Sequence, residues 1–153
     1  MKHQTLLTAV PALSPDALRR LAWFRYRIRC FLRFSERVAR ACGITPQQHQ
    51  LMLGIAGYTG RGWATISELA EFLQGRHNAV VGLVQRAEER GLVRKVQGQQ
   101  DRRFVKVHLT RKGYTILDKI SRQNMAELRE LQFEIMKTPQ SRPRNIPAAQ
   151  GTE

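Results

Sequence analysis

The chain has 153 residues and a formal net charge of +14, from 26 Lys and Arg against 12 Asp and Glu. One domain of this size buries roughly 70% of its unfolded surface, enough for a core without disulfide or metal staples. The charge favours polyanionic partners, nucleic acid before an anionic membrane surface, and no apolar run approaches the length of a membrane span.

The chain opens on an irregular arm, residues 1–15, whose apolar stretch Leu6 to Val10 is too short for a secretory signal. A cytoplasmic protein is expected. Ser14-Pro15-Asp16 then supplies a helix start: a capping serine, proline in the first turn and an acid. Neither Gly nor Pro interrupts the chain from there to Cys42. Leu21, Phe24, Ile28, Phe31, Ser35, Val38 and Cys42 recur at spacings of three and four, the seam of a helix about 40 Å long. So long and aromatic a seam exceeds the needs of one small domain, and predicts packing against a partner helix. Arg25, Arg29 and Arg33 line another face, either a solvated basic row or a direct contact to an anion. Cys30 and Cys42 stand about 18 Å apart on this helix, too far for a disulfide. Reduced thiols are expected, with oxidant sensing the minority reading.

Gly43 ends the helix, and Thr45-Pro46-Gln47-Gln48 opens the next as a capping box, with Leu51, Met52, Ile55 and Ala56 as its buried side. Gly57 to Gly62 reads as a loop and Trp63-Ala64 as a short strand. Thr65-Ile66-Ser67-Glu68 is a second capping box, and Gly75 breaks the short helix that follows. Another helix is expected over 77–90, with Val80, Leu83, Val84 and Ala87 inward and Gly91 as its stop. Helix, tight turn, helix is the outline of a helix-turn-helix.

Leu92 to Val96 is expected to pair with Phe104 to Leu109 in a hairpin, because Val105, Val107 and Leu109 alternate with Lys106 and His108. Its tip carries Asp101, Arg102 and Arg103. The aspartate can orient a guanidinium, and a positive finger suits a phosphate backbone or a narrow minor groove. Thr110 can cap a last helix, whose Leu117, Ile120, Leu128, Leu131 and Ile135 form a stripe reaching about Lys137. Pro139, Pro143 and Pro147 among polar residues indicate a disordered tail over 138–153. The predicted fold is mainly α with a small β-wing: a winged helix-turn-helix over 16–137, flanked by long N- and C-terminal dimerisation helices, with a DNA-binding lobe of about 45–110.

Three stretches resemble the MarR-type (multiple antibiotic resistance regulator) transcription factors: Gly43 to Leu51; Thr65 to Ala70 running on to Glu89-Arg90-Gly91-Leu92-Val93; and Asp101-Arg102-Arg103 ahead of Leu109-Thr110 and Gly113. The resemblance spans roughly Asp16 to Lys137. It implies a homodimer joined by the terminal helices on pseudo-palindromic double-stranded DNA, with recognition helix 77–90 in the major groove and wing 98–104 in the minor groove. It implies, further, that Asp101 holds the wing while Arg103 enters the groove. Many members are repressors released by small aromatic acids. Ligands in the family sit between the dimer helices and the winged lobe, where Trp23, Tyr26, His49 and Met52 are the candidates here, with nearby arginines to pair a carboxylate. A core aromatic cluster is the plainer reading of those four. Gly82 departs from the family by leaving a gap in the middle of the recognition helix.

From the residues themselves, Arg76, His77, Asn78 and Gln85 are the expected base readers, since Asn and Gln pair bidentately with adenine and Arg with guanine. Asn78 has a second reading as a helix cap. Val81 either meets a thymine methyl or packs. Arg86 and Lys95 suit phosphate, as does Ser67 near a helix start, where Thr65 is already explained as the cap.

An enzyme is not expected: no phosphate-cradling Gly-Lys-Ser/Thr loop, His-Glu-x-x-His or nucleophile elbow occurs, and His3, His49, His77 and His108 form no metal motif. No cofactor is called for. The rival function is an architectural, sequence-tolerant nucleic-acid binder without an effector. A winged-helix protein scaffold is a further alternative, disfavoured by the basic wing tip.

Overall fold

The computed structural model describes residues 12–58, 60–98 and 104–136. Five helices and three strands follow in the order α1 (Pro15–Ala41), α2 (Pro46–Gly57), β1 (Trp63–Thr65), α3 (Ile66–Leu73), α4 (His77–Glu89), β2 (Val93–Gln97), β3 (Val105–Leu109) and α5 (Arg111–Met136). The mainly helical architecture with a small antiparallel sheet is the one expected. The arm before residue 12, the wing tip 99–103 and the tail after 136 lie outside the described residues.

Local chemistry sets most boundaries. Ser14 Oγ accepts from the Ala17 amide at the start of α1, and Pro15 stands in its first turn. Both capping boxes form. Thr45 and Gln48 exchange side chain-to-backbone bonds of 3.1 and 3.0 Å, and Thr65 and Glu68 do so at 3.3 and 2.8 Å. Gly43 and Gly91 take left-handed backbone after α1 and α4, with φ of +79° and +68°. The turn after α3 differs from expectation. Gln74 itself adopts the left-handed conformation (φ 53°), and its side-chain amide donates to the Glu71 carbonyl at 2.8 Å, so Gly75 follows the stop instead of making it.

The sheet runs β1-β3-β2, antiparallel throughout. Val107 is the hub, opposite Ala64 on one side and Lys95 on the other. The core gathers where α2, α3, α4 and the sheet meet the C-terminal half of α1 and the N-terminal half of α5. Leu51, Met52, Ile55, Leu69, Val84, Leu92, Val107 and Ile120 are fully enclosed there. Towards the other end of the helix pair, burial falls away. Leu21, Phe24, Phe133 and Ile135 are all more than two-fifths exposed. Arg25, Arg29 and Arg33 also stay exposed on α1. Asn124 of α5 donates to Ser35 Oγ of α1 at 2.9 Å, tying the two helices midway.

The lobe is joined to α5 through Thr110. Its hydroxyl faces the carbonyls of Gly91 at 2.6 Å and Leu92 at 3.1 Å, and accepts from the Gly113 amide at 3.0 Å, capping α5 as expected. Its own amide donates to the Leu92 carbonyl at 3.1 Å. Gly113 is needed at this junction because a Cβ there would run into the Leu92 carbonyl group, whose carbon would stand 3.0 Å away. Gly113→Ala should therefore destabilise the protein by about 1–3 kcal/mol, the usual scale of forced overpacking, read as a lower urea midpoint.

His49, on α2, is 3% exposed, and burial lowers its pKa from the usual 6.5. The His108 pKa is lowered too, by partial burial and by the charges of Arg94 and Lys106. Both imidazoles are held neutral in the fold, so the unfolded chain takes up protons first as pH falls. Stability is complete above pH 6.5 and declines as acidification passes from there through the lowered pKa values. Urea titrations at stepped pH should show that decline, and His49→Gln should make it shallower.

Candidate nucleic-acid interface

Helix α4 buries Val80, Leu83, Val84 and Ala87 and turns His77, Asn78, Val81 and Gln85 outward. Its N-cap is Arg76, in extended backbone, with no side-chain cap bond. Asn78 lies inside the first turn, so its reading as a cap is set aside and its amide stands on the exposed entry of the helix. Arg76 therefore leaves the first-turn N–H groups of α4 to other acceptors, an arrangement suited to an anion.

Between the start of α3, the outer face of α4 and the base of the wing lies a depression of about 480 Å³. Ser67, His77, Gln85 and Lys95 line it, with Val81 and Phe104 among its apolar residues, and no carboxylate lines it among the described residues. Four of the expected DNA-contacting residues thus converge from α3, α4 and β2. Gln85 also lies 3.3 Å from Glu89, which orients its amide along the helix.

The remaining expected residues divide. Arg86, one position round the helix from Gln85, belongs to the opposite flank, a groove of about 780 Å³ shared with Thr45, Gln47 and Arg90. Its guanidinium bends back along α4, with Nη1 3.2 Å from where a Cβ on Gly82 would stand. Gly82 thus makes room for this arginine. Arg76 and Asn78 are exposed at the entry of α4 and line neither hollow. Asp101, Arg102 and Arg103 lie outside the described residues; at the flanks of the tip, the Gly98 amide donates to the Phe104 carbonyl at 2.8 Å and closes the hairpin.

Lys95 is anchored. Its ammonium lies 3.1 Å from Glu88, and its backbone amide donates to the same carboxylate at 2.9 Å. These bonds from Lys95, backbone first, hold the Glu88 pKa below the ordinary carboxylate value. The pair fixes β2 against α4, so the base of the wing and this helix share one support.

Sequence reasoning missed two features. Trp63 carries cations against its ring, Arg61 at 3.7 Å and Lys106 at 4.3 Å from the centroid, and Arg61 also grips both oxygens of Glu68 at 2.7 Å. Trp63 and Lys106 lie on neighbouring strands, and Arg61 precedes β1 in a bend, so no local spacing announced the cluster. Arg90 was also passed over; it donates to the Gly43 carbonyl at 2.6 Å and lies 3.4 Å from Gln48 Oε1, bracing the end of α4 against the α1–α2 link.

The four residues proposed for an effector do not come together. Trp23 and Tyr26 meet edge to face at 5.5 Å on the outer half of α1, whereas Met52 is sealed in the core. His49 lines a cavity of about 450 Å³ between α1, α2 and α5, together with Phe31, Leu53, Phe72, Asn124 and Met125. No arginine or lysine is among its lining residues, contrary to the expectation of arginines placed for a carboxylate.

Among the described residues no group of His, Cys, Asp and Glu is arranged to hold a metal, and no helix is long and apolar enough to cross a membrane.

Residues 43–103 match the model of the MarR family. No curated protein sequence matches the chain. The fold is similar to AbsC, a MarR family transcriptional regulator from Streptomyces coelicolor, with a TM-score of 0.68 at 17% identity over 84% of this chain and 86% of that one. It is similar as well to Sco3205, a MarR family regulator from the same organism in complex with DNA (TM-score 0.66, 21% identity, 85% and 81% covered). The transcriptional regulator Tm0710 from Thermotoga maritima is 25% identical, with a TM-score of 0.58 over 80% and 82% of the two chains. The match to the MarR family thus covers residues 43–103, and the described fold is similar to that of solved MarR-family transcriptional regulators.

Proposed function

We propose that the protein is a homodimeric, sequence-specific DNA-binding regulator of the cytoplasm, a repressor released by a small ligand, and not an enzyme. The observation that carries this reading is the convergence of Ser67, His77, Gln85 and Lys95 on one depression beside the exposed face of α4, with no carboxylate among its described lining residues. A duplex supplies what that surface lacks: phosphates for Ser67 and Lys95, and base edges for His77, Asn78 and Gln85. Arg76 and Arg86 flank these readers and suit phosphate. The lobe of about 45–110 is the DNA-binding unit, with α4 in the major groove and the wing, carrying Asp101, Arg102 and Arg103, directed to the minor groove. That Sco3205 forms a complex with DNA supports the same reading for this fold.

A single lobe presents one recognition helix, and two related by a twofold read half-sites about 34–36 Å apart. The exposed Leu21, Phe24, Phe133 and Ile135 at the open end of the α1–α5 pair are the apolar surface that a second copy would cover. The cavity lined by His49 and Asn124 is the effector site in this reading.

Two measurements test it. Purified protein mixed with genomic fragments and competed by random duplex across a salt series should enrich fragments bearing an inverted repeat. Arg103→Ala should weaken that binding strongly. Uniform, steeply salt-sensitive binding would instead make the protein an architectural binder. In light scattering, the wild type should run as a dimer at micromolar concentration, and Phe24→Arg should shift it towards the monomer.

A further inference from the structure

We propose that the arginine row on α1 is a second nucleic-acid site, which holds the phosphate backbone of a duplex other than the one at α4. The site goes beyond the regulatory function and does not depend on sequence specificity.

Positive charge is concentrated on this helix. α1 carries eight arginines, no lysine and two acids, Asp16 and Glu36, so six of the chain's fourteen net positive charges sit on it. Arg25, Arg29, Arg33 and Arg37 follow one another at intervals of four, and all are exposed. Residues so spaced stack along one side of a helix about 6 Å apart, which makes the row about 18 Å long. The seam through Phe31, Ser35 and Val38 lies on the other side, where α1 packs against α5 and α2, so the row stays open.

The middle of the row is uncompensated. Near the two ends of α1, Arg19 and Arg40 pair with Asp16 and Glu36 at 3.1 and 3.5 Å. Arg25, Arg29 and Arg33 make no ion pair among the described residues, and no acid occurs between Asp16 and Glu36 in the sequence. Like charges one turn apart repel, so the row weakens the helix in the free protein. A line of anions laid along it turns that repulsion into attraction. The surface beside α4 makes no use of these groups, because no residue of α1 lines its depression among the described residues.

The shape of the row selects its occupant. A duplex presents one negative charge per about 1.7 Å of axis in an unbroken line. Guanidinium forks match phosphate oxygens bidentately, where lysine acts as a point charge, and this row is all arginine. A membrane-surface helix buries its apolar side in lipid, but that side of α1 packs on α5. An acidic peptide would need carboxylates repeating at the same interval along its whole contact.

The test is bridging by the full-length protein. A short random duplex fixed to beads is saturated with protein, and capture of a second, fluorescent duplex is followed across a salt series. Wild type should capture it. The triple variant Arg25→Gln, Arg29→Gln, Arg33→Gln should reduce capture at least about tenfold and flatten its salt dependence by about two to three units of slope, with binding to the bead-borne duplex unchanged. Glutamine favours helix and the three positions are exposed, so the variant should unfold in urea no earlier than wild type. If it does unfold, Arg29→Gln alone is read instead, for about one unit of slope. No capture by wild type, undiminished capture by the variant, or equal loss of both duplexes overturns the proposal. Row-dependent binding of phosphatidylglycerol vesicles or polyglutamate, with capture undiminished, would give the row to a membrane or an acidic protein instead. Bridging without fragment enrichment would leave this site standing and sink the regulatory reading, and enrichment without bridging would do the reverse.

Discussion

The junction at Thr110 is the constraint on which the rest of the molecule depends. One side chain and one backbone amide join the end of α4, the start of β2, the end of β3 and the first turn of α5. Lys112 adds a bond from its ammonium to the Arg90 carbonyl at 2.8 Å. Because the Gly113 backbone rests directly on Leu92, little room exists for α5 to slide over the lobe. The direction of α5 and the direction of α4 are therefore set together. Whatever fixes the long helices also fixes where α4 points.

The same economy appears in the polar contacts around α4. Glu88 fastens it to the wing strand through Lys95, Arg90 fastens its far end to the α1–α2 link, and Glu68 with Arg61 secures the start of α3. These are partly exposed contacts, individually modest and screened by salt. Their use here is positional: they brace the margins of the depression and leave its lining free of acids. In a chain with so many arginines, the acids are spent holding basic residues in place, and the net positive field stays available for a polyanion.

Much of this was legible in the sequence, and the physical reason is locality. Capping boxes, glycine stops and the alternation along β3 depend on neighbours within four residues, so Thr45, Thr65, Gly43, Gly91 and Val107 announced their roles. The stop at Gln74 was hidden because the adjacent Gly75 offered the cheaper left-handed residue. The pairing of β1 with β3 and the stacking on Trp63 join distant segments, which no local pattern records. The depression could be foreseen residue by residue but not as a group, and Arg86 shows the difference: one helical position separates it from Gln85 and carries it to the other flank. Aromatic character nominated Trp23 and Tyr26, whereas which side chains line a common cavity is a property of the assembled structure.

The tie between Ser35 and Asn124 spans 89 positions of the chain. Closing so wide a loop carries an entropic cost that must be met before the contact gives anything back. During synthesis α1 emerges first, yet its intrachain companion α5 emerges last, after the whole lobe. The lobe, whose contacts are nearer in sequence, can condense while α1 still waits with Leu21, Phe24 and Phe31 uncovered. The architecture thus makes the long first helix the segment most in need of protection until α5 has been made.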